Sequence, residues 1–294
     1  MFLLHQPTEL MRNASGNLSA NRTGQATQLQ AKVITVLAEA LELLRTGKSG
    51  KPLTSASSAK NDSSNNKTAP PEEQLAELRK LQERLVEFEQ QQATLNQQTQ
   101  QFAARDPDQE SSTKITAESL GRDQLSLHDR VLKLSTELGS EGPLQFQLIR
   151  IAEPMQAAVT GLRQSVAGNT TQQEQRIALD RLRLLLMAFS SRDLPLPKEA
   201  NNQGTKENPQ QAPKLKFTPR QVTELRLIRV LQLELTARTA AITDSAKTIT
   251  EPTAAEQRAA AQIADEQEKV RAMLEQLIRE TAPVTEETNE KEGS

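Results

Sequence analysis

The sequence predicts an all-α protein built from antiparallel helical hairpins and four-helix units with heptad seams, elongated, with disordered linkers. Three observations predict it. Aromatic residues make up 2% of the 294 residues, and Trp and Tyr are absent, whereas β-sandwich or α/β cores of this size are rich in aromatic and β-branched residues. Apolar residues recur at helical and heptad spacing along most of the chain. Two polar, Pro- and Ser-containing stretches interrupt that periodicity and have almost nothing to bury.

The helices follow in order. Residues 1–45 read as a hairpin whose second helix carries the stripe Leu29, Val33, Leu37, Leu41 and Leu44. Residues 46–71 read as a disordered linker. Residues 72–189 read as a four-helix unit, with helices near 72–103, 114–138, 143–167 and 171–189. The first of these has Leu81, Phe88, Leu95 and Phe102 every seven residues, with Leu78, Leu85, Gln92 and Thr99 three residues ahead of each. Polar residues at the second set fit antiparallel packing in a small bundle better than a long two-stranded coiled coil. Leu120, Leu127, Val131, Leu134 and Leu138 form the next stripe. Pro154 is expected to kink its helix. Residues 190–219, with five Pro, read as a second disordered linker. Residues 220–279 read as another hairpin, in the heptad frame Ile228, Leu235, Ile242 and Ile249. The segment 280–294 reads as a disordered acidic tail.

The chain also repeats itself. At an offset of 144, Phe2, Leu4, Met11, Ala14, Leu18 and Val33 fall on Phe146, Leu148, Met155, Ala158, Leu162 and Ile177 without a gap. At 147, Glu77-Leu78-Arg79 falls on Glu224-Leu225-Arg226, and a weak third match at 139 pairs Val131 with Val270. The reading is two diverged copies of a unit of about 145 residues. Thr27-x-x-Gln30 and Thr171-x-x-Glu174 read as equivalent capping boxes, each after a Gly that ends the preceding helix. In this phase the chain opens with the second half of a unit and closes with the first half of another. Either the two ends fold together, or they exchange between chains, or Met1 is not the true start. Closure within the chain is preferred.

Composition excludes several chemistries. There is no Cys, so disulfides, thiol nucleophiles and Cys-ligated metals are absent. A net charge of −2 gives no global attraction to nucleic acid. The longest apolar run, Leu184 to Phe189, is too short to span a membrane, and the start lacks the pattern of a signal peptide. The location expected of the chain as written is the cytoplasm, or the periplasm and envelope if the start is truncated.

Local motifs resolve into ordinary readings. Gly47-Lys48-Ser49 has Glu42 where a phosphate-binding loop needs Gly. Ser126, His128 and Asp129 crowd one turn without triad geometry. His5 lies near the chain start, where the sequence offers no partner to argue from. Asp265 and Glu266 read as a solvated face. Lys214, Lys216, Arg220, Arg226 and Arg229 face one acid, Glu224, and one aromatic, Phe217, which poorly supports base stacking. No catalytic, cofactor-binding or metal-ligating residues are assigned, no cofactor is expected, and the chain is not read as an enzyme.

The pattern Met-x-x-Ala-x-x-x-Leu, then Gly-x-x-Thr-Gln, a leucine-rich helix, a Pro/Ser/Asn-rich linker and a Glu-Leu-Arg helix with Gln-rich heptads resembles a group of uncharacterised helical proteins of planctomycete-type bacteria. That resemblance implies a helical fold and no catalytic residues; similar proteins often begin with an export signal. The function expected is a non-catalytic scaffold or interaction protein that engages other helical proteins or itself. The alternative is an envelope holdase, and a nucleic-acid-binding accessory protein ranks third.

Overall fold

The computed structural model describes residues 2–46, 71–104, 110–139, 142–164, 166–190, 217–246 and 252–281. The described residues form helices α1 (Phe2–Ser19), α2 (Thr23–Thr46), α3 (Pro71–Ala103), α4 (Glu110–Glu137), α5 (Pro143–Arg163), α6 (Asn169–Ser190), α7 (Pro219–Ala246) and α8 (Ala254–Thr281), with no strand among them. The protein is all-α, as its composition and periodicity predict. Nearly all of the expected linkers at 46–71 and 190–219, and of the tail at 280–294, lies outside the described residues, as does Gly47-Lys48-Ser49.

Local chemistry sets the helix ends. Proline supplies a preset φ at the first position of α3, α5 and α7. Capping boxes open α7 and α8. Thr218 N donates to Gln221 Oε1 (2.9 Å) while Gln221 N donates to Thr218 Oγ1 (3.2 Å). Thr253 N donates to Glu256 Oε2 (2.8 Å) while Glu256 N donates to Thr253 Oγ1 (3.2 Å). The boxes expected at Thr27 and Thr171 are not helix starts. Both threonines lie inside helices, with Thr27 Oγ1 donating to the Thr23 carbonyl (2.9 Å) and Thr171 Oγ1 to the Val166 carbonyl (2.7 Å). Asn21 takes a left-handed conformation (φ 56°) and turns the chain early enough for α2 to begin at Thr23. Gly24 therefore lies within α2 and does not end α1. Helix α5 runs from Pro143 to Arg163 through Pro154 without a break.

By internal packing the chain divides into two compact units, and the division falls inside α7, between Glu234 and Leu235. The second unit holds α3 to α6 and α7 up to Glu234. Within it α3 packs on α4, α4 on α5, α5 on α6 and α6 on α3, closing a four-helix ring. Its core includes Leu85, Phe88, Leu127, Val131, Leu148, Ile151, Met155 and Leu182. Full burial of such a side chain contributes about 1.5–3 kcal/mol. In the last turn of α5, a Cβ added to Gly161 would meet Thr171 Oγ1 of α6 at 2.2 Å, so only glycine fits there.

The first unit holds α1, α2, α8 and α7 from Leu235. Helix α1 packs on both α2 and α8. Ser15 Oγ donates to the Ala264 carbonyl (3.2 Å), and Arg12 reaches Glu275 (3.8 Å). Arg238 joins α7 to α8 through Glu266 (2.6 Å), and a Cβ at Gly24 in α2 would lie 3.9 Å from Thr243 Cγ2 in α7. The two ends of the chain thus meet in one unit.

The buried positions keep fixed offsets. In α1, residues 4, 7, 8, 11, 14 and 18 are buried, and so are those 144 further on in α5. In α2, residues 26, 30, 33, 37 and 40 are buried, and so are those 145 further on in α6. Val33 thus corresponds to Ala178, not Ile177, because the intervening turns differ by one residue. In α4, residues 117, 120, 121, 124, 127, 131, 134 and 135 are buried, and in α8 so are those 143 further on, a different register from the weak match at 139. In α3, Leu85, Phe88, Gln92, Leu95 and Thr99 are buried, as are Leu225, Ile228, Gln232, Leu235 and Thr239 in α7, 140 further on.

Candidate functional site

The sequence singled out no functional residue to carry forward, so polar groups that the fold buries or clusters define the candidates. The first is a buried amide layer. In the second unit Gln92, Thr99, Gln124 and Gln175 are all fully buried. Gln124 and Gln92 exchange hydrogen bonds (2.8 and 3.1 Å), and Gln175 Nε2 donates to Gln124 Oε1 and Thr99 Oγ1 (3.0 Å each). Asn96 Nδ2 donates to the Gln175 carbonyl (3.1 Å). In the first unit the counterparts Gln30 and Gln267, also fully buried, repeat one of these bonds at the same atoms, Nε2 to Oε1, at 3.0 Å. Such a layer gives up apolar contact but fixes which helices pair and in what register.

Gln147 differs. It is fully buried in the second unit, and neither amide atom has a hydrogen-bond partner among the described residues. An unpaired buried amide costs roughly 1–3 kcal/mol. Gln147→Met, which keeps the shape and removes the polar atoms, is therefore expected to raise the denaturation midpoint; an unchanged or lower midpoint would mean that the amide is satisfied in solution.

An ion cluster fixes the first half of α7 to its unit. Arg150, 4% exposed, donates to Glu234 from both terminal guanidinium nitrogens, Nη2 and Nη1 (2.7 and 3.1 Å), and Arg181 Nε adds a third bond to Glu234 (3.1 Å). Arg181 also donates to the Arg150 carbonyl. The counterpart of Arg150, Gln6 in α1, is exposed.

The α3–α4 seam presents a groove of about 480 Å³, lined by polar side chains that include Glu87, Gln91, Gln98 and Asp123 and by Leu95 and Leu127. Rungs cross this seam at heptad spacing. Arg84 pairs with Glu137 (2.8 Å); one turn pair along, Arg130 donates to Gln91 (2.8 Å) and Glu87 (2.6 Å) and lies over the Phe88 ring at 5.1 Å. The hydrogen bond from Arg130, then its charge, holds the Glu87 carboxyl below the ordinary carboxylate range; Arg84 does the same for Glu137, first by its hydrogen bond. A depressed folded-state pKa gives stability that is present above the ordinary value of 4.5 and lost as pH falls through the folded value. Glu87→Gln is expected to lower Tm slightly at pH 7. The difference should vanish in strong acid, where the wild-type carboxyl is protonated too; a difference that persists there would contradict the ion-pair account.

The residues weighed in the sequence fall as follows. His128 Nδ1 lies 2.9 Å from Asp129 Oδ1, and Ser126 lines the groove with no hydrogen bond to that pair. His5 is exposed in α1. Asp265 is exposed, but Glu266 is not part of a solvated face: it is 9% exposed and paired with Arg238. Lys214 and Lys216 lie outside the described residues, Arg220 pairs with Glu224 (2.9 Å), and Arg226 and Arg229 are half-buried. Among the described residues no three His, Asp or Glu side chains group closely enough to hold a metal ion. None of the helices there is long and apolar enough to cross a membrane. Sequence reasoning missed the amide layer and the groove. Their signal is Gln or Thr at heptad core positions and polar residues facing one another at heptad spacing across a hairpin.

No protein-family model matches the chain, and no curated protein and no solved structure matches it.

Proposed function

We propose that the protein is a non-catalytic helical scaffold made of two diverged copies of one four-helix unit, the first assembled from the two ends of the chain. The observation that carries this reading is the fixed offset between buried positions, down to the Gln30–Gln267 and Gln175–Gln124 bonds. Buried residues keep their counterparts while exposed ones diverge, which is how repeat frameworks hold a fold and vary a surface. The amide layers support a role that needs one defined helix pairing. The second unit also leaves Met187 67% exposed, with Ile149 and Leu233 above 40%, and these are contact points for a partner.

The test is a photo-cross-linking residue at Met187, compared with one at the exposed Gln97. A small, reproducible set of adducts at 187 and none at 97 supports the scaffold. The same chain should fail to protect an unrelated enzyme from thermal aggregation at substoichiometric amounts. Protection there would overturn the scaffold in favour of a holdase.

A further inference from the structure

The third rung of the α3–α4 seam is open. One heptad beyond Gln91 on α3 and one before Arg130 on α4 stand Gln98 and Asp123. Both line the groove, and neither side chain has a hydrogen-bond or ion-pair partner among the described residues. In the first unit the same rung is closed. Arg238, at the counterpart of Gln98, donates to Glu266, at the counterpart of Asp123, across 2.6 Å. The acid is present in both units; the cation is present in one.

We propose that the groove of the second unit receives an arginine side chain from a partner polypeptide, seated on Asp123 as Arg238 is seated on Glu266. The chemistry fits a guanidinium. Its planar fork of donors meets a carboxylate on one side. The Ser126 and Thr94 hydroxyls and the Gln98 amide oxygen offer further acceptors. Its three-carbon stem lies along Leu95 and Leu127 at the base of the groove. A lysine ammonium fills less of the space and makes fewer directed bonds. The proposal rests on the scaffold reading and names the chemistry of the partner.

The test uses the full chain, isotope-labelled for NMR, with the blocked peptide Ala-Ala-Arg-Ala-Ala as probe and its lysine counterpart as control. The arginine peptide is expected to shift the amide resonances of Asp123 and Ser126 saturably, and the lysine peptide to bind several-fold more weakly. Asp123→Asn should weaken arginine binding about fivefold. Gln98→Arg should abolish it while keeping the spectrum folded, because the chain then supplies its own cation. Absence of any shift, equal binding of the two peptides, or binding unchanged in both variants overturns the proposal. Failure here leaves the adducts at Met187 intact, whereas failure of the scaffold reading removes those adducts or reveals client protection.

Discussion

Leu85→Asp is expected to remove most of the stability of the second unit, and Leu235→Asp that of the first. Both leucines are fully buried, Leu85 at one of the two seam positions of the α3 heptads and Leu235 at the other in α7. An unpaired carboxylate there costs several kcal/mol, against a total of about 5–15 kcal/mol for a domain. Gln97→Asp, on an exposed position of α3, is the control. Gln91 does not serve as a control: it is half-buried and accepts from Arg130. Circular-dichroism melts should show large losses for the two leucine variants and almost none for Gln97→Asp. Equal, small effects would mean that the heptad frame does not face a core.

Gln124→Ala is expected to be the second most damaging change. It removes the centre of the amide layer and leaves Gln92 and Gln175 buried with bonds unmade. Each orphaned group costs roughly 1–3 kcal/mol, whereas replacing both partners by apolar groups of similar size is nearly neutral. The paired change Gln92→Leu with Gln124→Leu should therefore cost less than Gln124→Ala alone. Denaturant midpoints at constant slope measure this. A paired variant worse than the single one would assign the layer a role other than hydrogen bonding.

Most of the helices were legible because apolar periodicity is a direct image of burial. Leu85, Phe88 and Leu95 sit in the core where the heptads place them. The amide layer was not legible in the same way. Gln92 looks like a weakness in a seam by hydropathy, and nothing local separates it from the exposed Gln97. Its burial is tolerable because Gln124 of α4 exchanges hydrogen bonds with it and Asn96, one turn on in α3, accepts another. The one-residue slip between α2 and α6 was hidden because Ile177 stands beside Ala178 and matches Val33 in type. The helix starts at Thr218 and Thr253 did have a local signal: threonine beside proline, with Gln or Glu three residues on. Thr27 and Thr171 lack the adjacent proline, and both lie within their helices. The groove could not be seen from either hairpin alone. Its open rung emerges when Gln98 and Asp123 are set against Arg238 and Glu266.

Closure of the first unit by the two ends of the chain is the central claim, and one cross-link tests it directly. Arg12 and Glu275 approach to 3.8 Å across α1 and α8, and the chain contains no cysteine. Arg12→Cys with Glu275→Cys, treated with a short bismaleimide at high dilution, should give a fast-migrating intrachain product on a denaturing gel and no dimer. Products only between chains, or no product at all, would contradict the closure.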